Sequence, residues 1–264
     1  MPELAEVEYF RRLWNPGIGH KVIKVRLHAG KRIFRNSASS DINAKVPGSA
    51  FLSSEAHGKQ LLFRFSGNVW IGIHLGLTGK LRVEETRFKV EKHDHLVLLL
   101  STQALVLSDP RLFGVVRFHQ GKSEPGWWRN LPPPIHSKQF TVESMSQFLQ
   151  RHHRLPIKPA LLLQQGFPGI GNWMADEILW RAKIRPQTSS GSITEATRKT
   201  LWKTIRFVCR SAIQQISQDY SGPSVGWLFH ERWEKQGQCP IHRIRLERKT
   251  IGGRTTVWCS KCQH

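Results

Sequence analysis

Two pairs of potential metal ligands near the C-terminus constrain the fold of this chain more than any other feature. Two residues separate Cys239 from His242, and after sixteen intervening residues Cys259 and Cys262 repeat that spacing. Thiolate and imidazole groups in two such pairs bind zinc with tetrahedral geometry. Because the protein supplies all four ligands, no position remains for a catalytic water. The sequence therefore predicts one structural zinc ion.

The segment between the two ligand pairs predicts a β-hairpin. Gly252 and Gly253 form a turn signal between two potential strands, residues 241–250 and 254–258. From the first ligand to the end of the chain, six Lys or Arg residues face a single acidic residue. We therefore expect a basic hairpin, stabilised by zinc, over residues 230–264.

The chain as a whole is strongly basic. Its 264 residues contain 40 Lys and Arg against 19 Asp and Glu, which gives a formal net charge of +21. An excess of this size favours nucleic acid as a partner over a merely solvated basic surface. An anionic membrane is the other alternative, but the sequence has neither an amphipathic basic helix nor a long apolar run. We expect a nucleic-acid partner and no membrane association.

Cysteine usage and the N-terminus indicate an intracellular protein. Three of the four cysteines are assigned to the metal site and Cys209 is alone, so no disulfide framework is expected. The acidic N-terminus lacks the apolar segment of a secretory signal. These features predict a cytoplasmic protein, associated with the nucleoid through its partner, that is not secreted.

The spacing of apolar residues changes along the chain from strand-like to helical. After a helix over residues 2–14, alternating apolar residues predict β structure from 21 to 119. Proline and glycine then mark a connection, and the pattern beyond it has the period of helices. The expected divisions are a β-rich domain over residues 1–124, a linker over 125–139, a helical domain over 140–222 and the zinc hairpin over 230–264.

Two capping signals place helices in the second half. Asn172 is expected to cap a helix that runs to about Ile184, and Ser192-x-x-Glu195 is typical of a capping box that opens a long helix. Cys209 borders the apolar face of this long helix and is expected to be a packed thiol rather than a nucleophile. The residues of that face are Leu201, Ile205, Val208, Ala212 and Ile216.

Several short motifs resemble, in the same order, those of the formamidopyrimidine-DNA glycosylase and endonuclease VIII family. They are MPELAEVE at residues 1–8, HGKQLL at 57–62, HLGLTG at 74–79, KHDH at 92–95, DPRLFG at 109–114 and GIGN at 169–172, followed by the zinc hairpin. The resemblance implies an α+β fold, with an N-terminal β-sandwich led by a helix, a helical helix–two-turn–helix domain and a zinc β-hairpin. It also implies a monomeric DNA glycosylase and abasic-site lyase that flips oxidised bases out of damaged double-stranded DNA and excises them.

The resemblance assigns the nucleophile to Pro2, after removal of Met1. A secondary amine can displace the base from the sugar C1′ and form an iminium ion, which acidifies the C2′ proton and permits strand cleavage by elimination. In an arbitrary chain, Pro2 would simply be a favourable first helical residue. The resemblance further implies that Glu3 protonates the deoxyribose ring oxygen, and that Lys59 contacts phosphates beside the lesion.

The resemblance also implies that several residues bind the phosphates of the DNA backbone. Asn172, with the backbone of Gly169 and Gly171, forms a glycine-rich turn into a helix, where N–H groups can bind a phosphate. Arg254, just past the hairpin tip, matches the zinc-finger arginine that holds phosphates on both sides of the flipped nucleotide. Loss of such a contact weakens binding to all sequences alike.

Flipping a base leaves a hole in the duplex that the protein must fill. Leu77, Arg111 and Phe113 match the family's residues for this purpose, two apolar wedges and an arginine that can pair with the orphan base. Without the resemblance, Leu77 and Phe113 would be expected in the core. Glu6, one turn beyond Glu3, is placed to face the extruded base.

The sequence departs from the family pattern at several positions, so the identity of the damaged base is not determined. Four positions differ: Ala5 stands where a proline is usual, Leu77 where methionine is frequent, Leu112 where arginine is frequent, and His242 where the family has a cysteine. The segment 219–227 is short for the loop that purine-specific members fold over the base. Oxidised purines, ring-opened purines, oxidised pyrimidines and alkylated or crosslinked bases all remain candidates. So do two alternatives, a catalytically inactive damage-binding protein of the same fold and a zinc-ribbon accessory factor of ribosome or polymerase.

Overall fold

The computed structural model describes residues 1–35 and 39–264 and divides into two compact units. The first unit comprises Met1–Pro2 and Glu6–Leu131, and the second comprises Glu3–Ala5 and Pro132–His264. The first two residues of the N-terminal helix, Leu4 and Ala5, therefore belong to the second unit, which the spacing of apolar residues does not indicate. The segment expected as a linker, 125–139, contains a short helix and the division at Leu131/Pro132.

The first unit is built on two four-stranded antiparallel sheets. The strands are β1 (Lys24–Leu27), β2 (Phe51–His57), β3 (Gln60–Phe65), β4 (Val69–His74), β5 (Lys80–Glu84), β6 (Asp94–Leu99), β7 (Ala104–Ser108) and β8 (Val115–Gln120). Their order is β1-β6-β7-β5 in one sheet and β2-β3-β4-β8 in the other. Helices α1 (Leu4–Leu13), α2 (Ser39–Lys45) and α3 (Gly126–Arg129) accompany the sheets, with 3-10 turns at Asn15–Gly17 and Arg32–Phe34.

One hydrophobic core lies between the two sheets. Phe63 and Ile71 from one sheet and Leu96 and Leu105 from the other belong to the same buried cluster, each with 0% exposure. Apolar side chains on facing sheets bury each other, which is what holds a β-sandwich together. Trp14 of the turn after α1 joins this core.

The second unit is helical and ends in a hairpin. Its helices are α4 (Val142–Arg151), α5 (Ile157–Leu161), α6 (Asn172–Arg181), α7 (Glu195–Asp219) and α8 (Leu228–Glu231), with a 3-10 turn at Ser190–Ser192. Strands β9 (Glu247–Ile251) and β10 (Arg254–Trp258) pair antiparallel around Gly252-Gly253, as the turn signal predicts. The expected α+β fold is confirmed.

The long helix α7 packs as its apolar pattern predicts, but it begins differently. All five residues of the predicted stripe are buried, and burial raises the pKa of the neighbouring Cys209 thiol, which is a packed side chain. The predicted capping box is wrong, because Thr194 is the N-cap and its hydroxyl accepts the Thr197 N–H at 3.3 Å. Ser192 instead donates to the Ser189 carbonyl.

Across residues 1–35 and 39–264, no helix is both long and apolar enough to span a membrane.

Candidate active site and metal centre

Leu4, near the N-terminus, is fixed by a hydrogen bond to the glycine-rich turn, and both belong to the second unit. The Leu4 N–H donates to the Gly169 carbonyl at 3.0 Å, and Leu4 is 8% exposed. Pro2 is buried, whereas Met1 is 46% exposed. In the unprocessed chain the Pro2 nitrogen is an amide without a basic lone pair, so only removal of the exposed Met1 creates an amine there.

Glu3 caps helix α6 with its carboxylate. Its two oxygens accept the backbone N–H groups of Trp173 at 3.0 Å and Met174 at 3.1 Å, and the residue is only 3% exposed. Gly171 makes this possible, because a Cβ there would lie 2.1 Å from the Glu3 side-chain carboxyl carbon. The positive end of a helix stabilises an anion, and these donors favour the ionised carboxylate. The anion at this helix start is therefore supplied by the chain itself.

This arrangement corrects two expectations about the glycine-rich turn. Asn172 is not the cap of α6, since Gly171 holds that position without a side-chain bond. The Gly169 N–H is not free for a phosphate, because it donates to the Gln164 side-chain oxygen at 3.0 Å. The side chain of Asn172 is used elsewhere, where its amide nitrogen donates to the Thr255 carbonyl at 3.0 Å.

Asn172 and the hairpin tip are held together over a buried ionic cluster. The Thr255 carbonyl, next to the exposed Arg254, also accepts a hydrogen bond from Lys158 Nζ at 3.3 Å. Lys158 forms a salt bridge with Asp176, and Arg232 Nη2 donates to the other Asp176 oxygen at 2.8 Å. Burial lowers the pKa of Lys158 and raises that of Asp176, because both groups are withdrawn from water. Asn172, at the start of α6, is thus adjacent to the backbone that follows Arg254.

In the first unit, Lys59 lies in the turn between β2 and β3, after Gly58 with its positive φ of 59°. Lys59 is 7% exposed, and its positive charge helps to lower the pKa of His74 at the end of β4. Burial, assisted by the charges of Lys59, Arg117 and Arg35, lowers the pKa of His74 to about 4. Burial and these positive charges both disfavour the protonated imidazole, so His74 is neutral near pH 7.

The tautomer of His74 follows from its backbone neighbour. The Gly76 N–H donates to His74 Nδ1 at 3.1 Å, so Nδ1 is an acceptor and the proton lies on Nε2. His74 lies within the motif at residues 74–79, but no role follows for it from the sequence. Its position, at the end of β4 and directly before the loop 75–79, is what draws attention to it in the structure.

Leu77, Arg111 and Phe113, the three residues proposed to fill the gap in the duplex and called the wedge residues, lie on two neighbouring loops. The loop 75–79 joins β4 to β5, the loop 109–114 joins β7 to β8, and β4 pairs with β8 through His74↔Val115. The Arg111 guanidinium carbon lies 4.9 Å from the Phe113 ring centroid, and Phe113 is 40% exposed. Gly76, with φ +64°, lies so close to this loop that a Cβ would be 2.4 Å from the Phe113 carbonyl carbon.

The metal ligands predicted from the sequence converge on one point. The ligand atoms of Cys239, His242, Cys259 and Cys262 all lie within 4.8 Å of one another. The three thiols are buried and the imidazole is half-buried. Three thiolates and one imidazole are a donor set that suits a soft or borderline divalent ion in tetrahedral coordination. The group can hold one metal ion, with every ligand supplied by the chain.

The segment expected to be a short lesion loop leaves α7 through a left-handed residue, Tyr220, with φ 65°. Its exposed end includes Val225, which is 97% exposed, and it returns to the core at Trp227, which is 5% exposed. His230 Nε2 contacts the Pro223 carbonyl at 2.7 Å and fixes the return. Glu6, the residue proposed to face an extruded base, is half-buried in α1.

Comparison with known proteins places the chain in a family. The family model for the formamidopyrimidine-DNA glycosylase N-terminal domain matches residues 1–116, and that for the H2TH domain of the same enzyme matches residues 131–221. The formamidopyrimidine-DNA glycosylase of Thermus thermophilus is 32% identical over 276 residues, covering 100% of this chain and 98% of the relative. The chain belongs to the formamidopyrimidine-DNA glycosylase family.

Solved structures of this family agree with that assignment. A Lactococcus lactis mutant enzyme in complex with Fapy-dG DNA is 27% identical, with a TM-score of 0.88 and full coverage of both chains. The wild-type Lactococcus lactis enzyme with DNA containing an oxidised pyrimidine is 25% identical, with a TM-score of 0.89, again over both whole chains. The family resemblance inferred from short motifs is confirmed.

Proposed function

We propose that this chain is a bifunctional DNA glycosylase and abasic-site lyase that removes oxidised bases from duplex DNA. The observation that carries the proposal is the placement of Glu3, a buried carboxylate fixed on the N-terminus of α6 and directly bonded in sequence to Pro2. Such a pair supplies a nucleophile and a proton carrier at adjacent positions. Membership of the family, and relatives seen with Fapy-dG and oxidised-pyrimidine DNA, support the same substrate class.

In the proposed reaction, the Pro2 nitrogen of the processed chain attacks C1′ of the flipped nucleotide. A bond forms between this nitrogen and C1′, and the base leaves with the electrons of the glycosidic bond. Opening of the sugar ring produces an iminium ion, which withdraws electrons from C2′. Loss of a C2′ proton then expels the 3′ phosphate, and hydrolysis of the iminium releases the cleaved strand.

Glu3 is proposed to move the proton that this sequence requires. Two N–H donors stabilise its carboxylate form, so Glu3 starts without a proton to give. The tertiary ammonium formed when the Pro2 nitrogen bonds to C1′ can supply one. Glu3 accepts that proton and delivers it to the ring oxygen, acting as base and then as acid within one turnover.

The remaining residues are proposed to bind and distort damaged DNA. Lys59, Asn172 and Arg254 contact phosphates, together with the backbone at Gly171, and Glu6 faces the extruded base. The wedge residues occupy the vacated position in the duplex. The metal is proposed to be one structural zinc ion that stiffens the hairpin carrying Arg254. One chain carries all these groups, so a monomer is expected to suffice, acting on chromosomal DNA.

Borohydride trapping on abasic-site DNA tests the mechanism. Mature protein, with removal of Met1 verified by mass spectrometry, should form a covalent adduct whose mass equals protein plus cleaved DNA. Pro2→Gly and a form that retains Met1 should lose the adduct, whereas Pro16→Gly, the same change at an exposed turn position, should keep it.

Absence of an adduct with processed wild-type protein refutes the proposed nucleophile. If that protein also binds lesion DNA tightly without nicking it, the chain is an inactive damage-binding protein of the same fold. Excision assays over duplexes with oxidised purines, ring-opened purines, oxidised pyrimidines and alkylated bases then define the substrate.

A further inference from the structure

A single buried carboxylate joins the two loops that carry the proposed wedge residues. Asp109 follows β7 and is 0% exposed. One of its oxygens accepts the Thr78 hydroxyl at 2.6 Å and the Arg111 N–H at 3.3 Å, and the other accepts the Gly114 N–H at 2.7 Å. Thr78 directly follows Leu77, while Arg111 and Gly114 bracket Phe113. Asp109 therefore binds Arg111 itself, Thr78 beside Leu77, and Gly114 beside Phe113.

The backbone of Asp109 is itself held by residues at the start of β6. Its N–H donates to the His93 carbonyl at 3.0 Å, and its own carbonyl lies 3.1 Å from His95 Nε2. A carbonyl can only accept, so His95 carries its proton on Nε2 and its Nδ1 is an acceptor. That Nδ1 lies 3.1 Å from His28 Nδ1, which must be the donor. His93 and His95 thus hold the backbone of Asp109, His28 orients His95, and the carboxylate holds the two loops.

The wedge residues need such a support because the core does not hold their side chains. Arg111 is exposed, Phe113 is 40% exposed and Leu77 is half-buried. Residues that must enter a gap in stacked bases work only at a defined position, and loops at a strand end are otherwise the mobile part of a sandwich. Only an ionised carboxylate can accept from three donors at once, since an amide would turn one of its own N–H groups toward them.

We propose that Asp109 is a positioning residue that presents Leu77, Arg111 and Phe113 to the duplex as one rigid unit. It does so without touching DNA, through Thr78 on one loop and the N–H groups of the other. The inference rests on the proposed function, because it assumes that these residues fill the space left by a flipped base.

Two variants remove the support in different degrees. Asp109→Asn keeps the shape but places an amide among three donors, while Thr78→Val removes only the bond to the neighbouring loop. Thr78→Ser retains the hydroxyl and should restore wild-type behaviour. Thr86→Val is the matched control, the same change at an exposed position between β5 and β6. Thermal melting of each variant separates effects on the wedge from loss of the fold.

Three measurements on each variant separate positioning from a general structural role. The first is fluorescence of 2-aminopurine placed opposite a tetrahydrofuran abasic analogue, which reports wedge insertion in binding alone. The second is single-turnover excision of a damaged base from duplex DNA. The third is cleavage of an abasic site in single-stranded DNA, where no duplex gap has to be filled.

Asp109→Asn and Thr78→Val should lower wedge insertion and slow duplex excision by about tenfold to a hundredfold, as small misplacements do. Single-strand cleavage should stay within about twofold of wild type, the variation expected when the reacting groups are unmoved. An unchanged ratio of duplex to single-strand rates in both variants, with active wild type, overturns the inference. Wild-type protein that cleaves neither substrate refutes the proposed function instead, and the fluorescence signal still decides whether Asp109 affects insertion.

Discussion

Replacement of Asp176 by Asn should be among the most destabilising conservative changes in the chain. Asp176 is 1% exposed, and it is paired with Lys158 and Arg232, which are 0% and 2% exposed. The substitution changes few atoms but leaves two buried cations without their shared counter-charge. Removing one partner of a buried ion pair typically costs about 3–5 kcal/mol, because the charge that remains is uncompensated.

That free energy corresponds to a fall in melting temperature of about 6–20 °C, at about 2–4 °C per kcal/mol for a chain of this size. Urea unfolding followed by circular dichroism provides the free energy directly. Glu234→Gln is the control, since it removes one negative charge from an exposed position of the same unit. The control should be nearly neutral, as most surface substitutions are.

A double-mutant cycle separates the ionic contribution from loss of packing. Lys158→Met combined with Asp176→Asn leaves only Arg232 unpaired, so the double variant should lose less than the sum of the single losses. Residues in one buried network usually differ from additivity by about 0.5–3 kcal/mol. If Asp176→Asn costs less than about 1 kcal/mol, or the cycle is strictly additive, the account of this cluster is wrong.

The remaining predictions concern the metal, two titrating groups and the wedge. Removal of the metal with a chelator, or Cys239→Ser, should abolish binding to abasic-analogue DNA while the β-sandwich melts as before, which calorimetry can follow. Burial raises the pKa of Glu177 to about 7, so wild type should lose stability between pH 5 and 8 relative to Glu177→Gln, by about 2–3 kcal/mol in urea unfolding. The pKa of His74 is lowered to about 4, so its NMR signals should show a neutral imidazole from pH 8 down to pH 5. Phe113→Ala should slow excision from duplex DNA with little change in melting temperature, because the ring is 40% exposed.

Features that depend on neighbouring residues could be predicted from the sequence. The turn at Gly252-Gly253, the four ligands around it and the buried stripe of α7 all follow from short-range patterns, and the structure contains them. Helix ends do not follow from such patterns to the exact residue. The cap of α7 is Thr194, two residues after the predicted Ser192, because several neighbouring polar side chains compete for that position.

The contacts that build the proposed active site could not be predicted, because they join residues far apart in the sequence. Glu3 accepts a hydrogen bond from Trp173, which is 170 residues away in the sequence. Lys158 donates to the hairpin carbonyl of Thr255, which is 97 residues away. No periodic pattern encodes either contact. The charges themselves were visible, but burial of a lysine or an aspartate runs against composition rules, and only the fold shows that Lys158 and Asp176 offset each other.

The same long-range contacts explain how a chain terminus can serve as the proposed nucleophile. Terminal residues are usually among the least ordered, and Pro2 has no polar side chain with which to hold itself in place. The two residues that follow it do so instead, Glu3 through two N–H groups of α6 and Leu4 through the Gly169 carbonyl. None of these bonds involves Met1, so its removal can expose the Pro2 nitrogen without loosening the anchor. The helix start that the sequence suggests for a phosphate is therefore occupied by the Glu3 carboxylate, which holds the proposed nucleophile beside it in the chain.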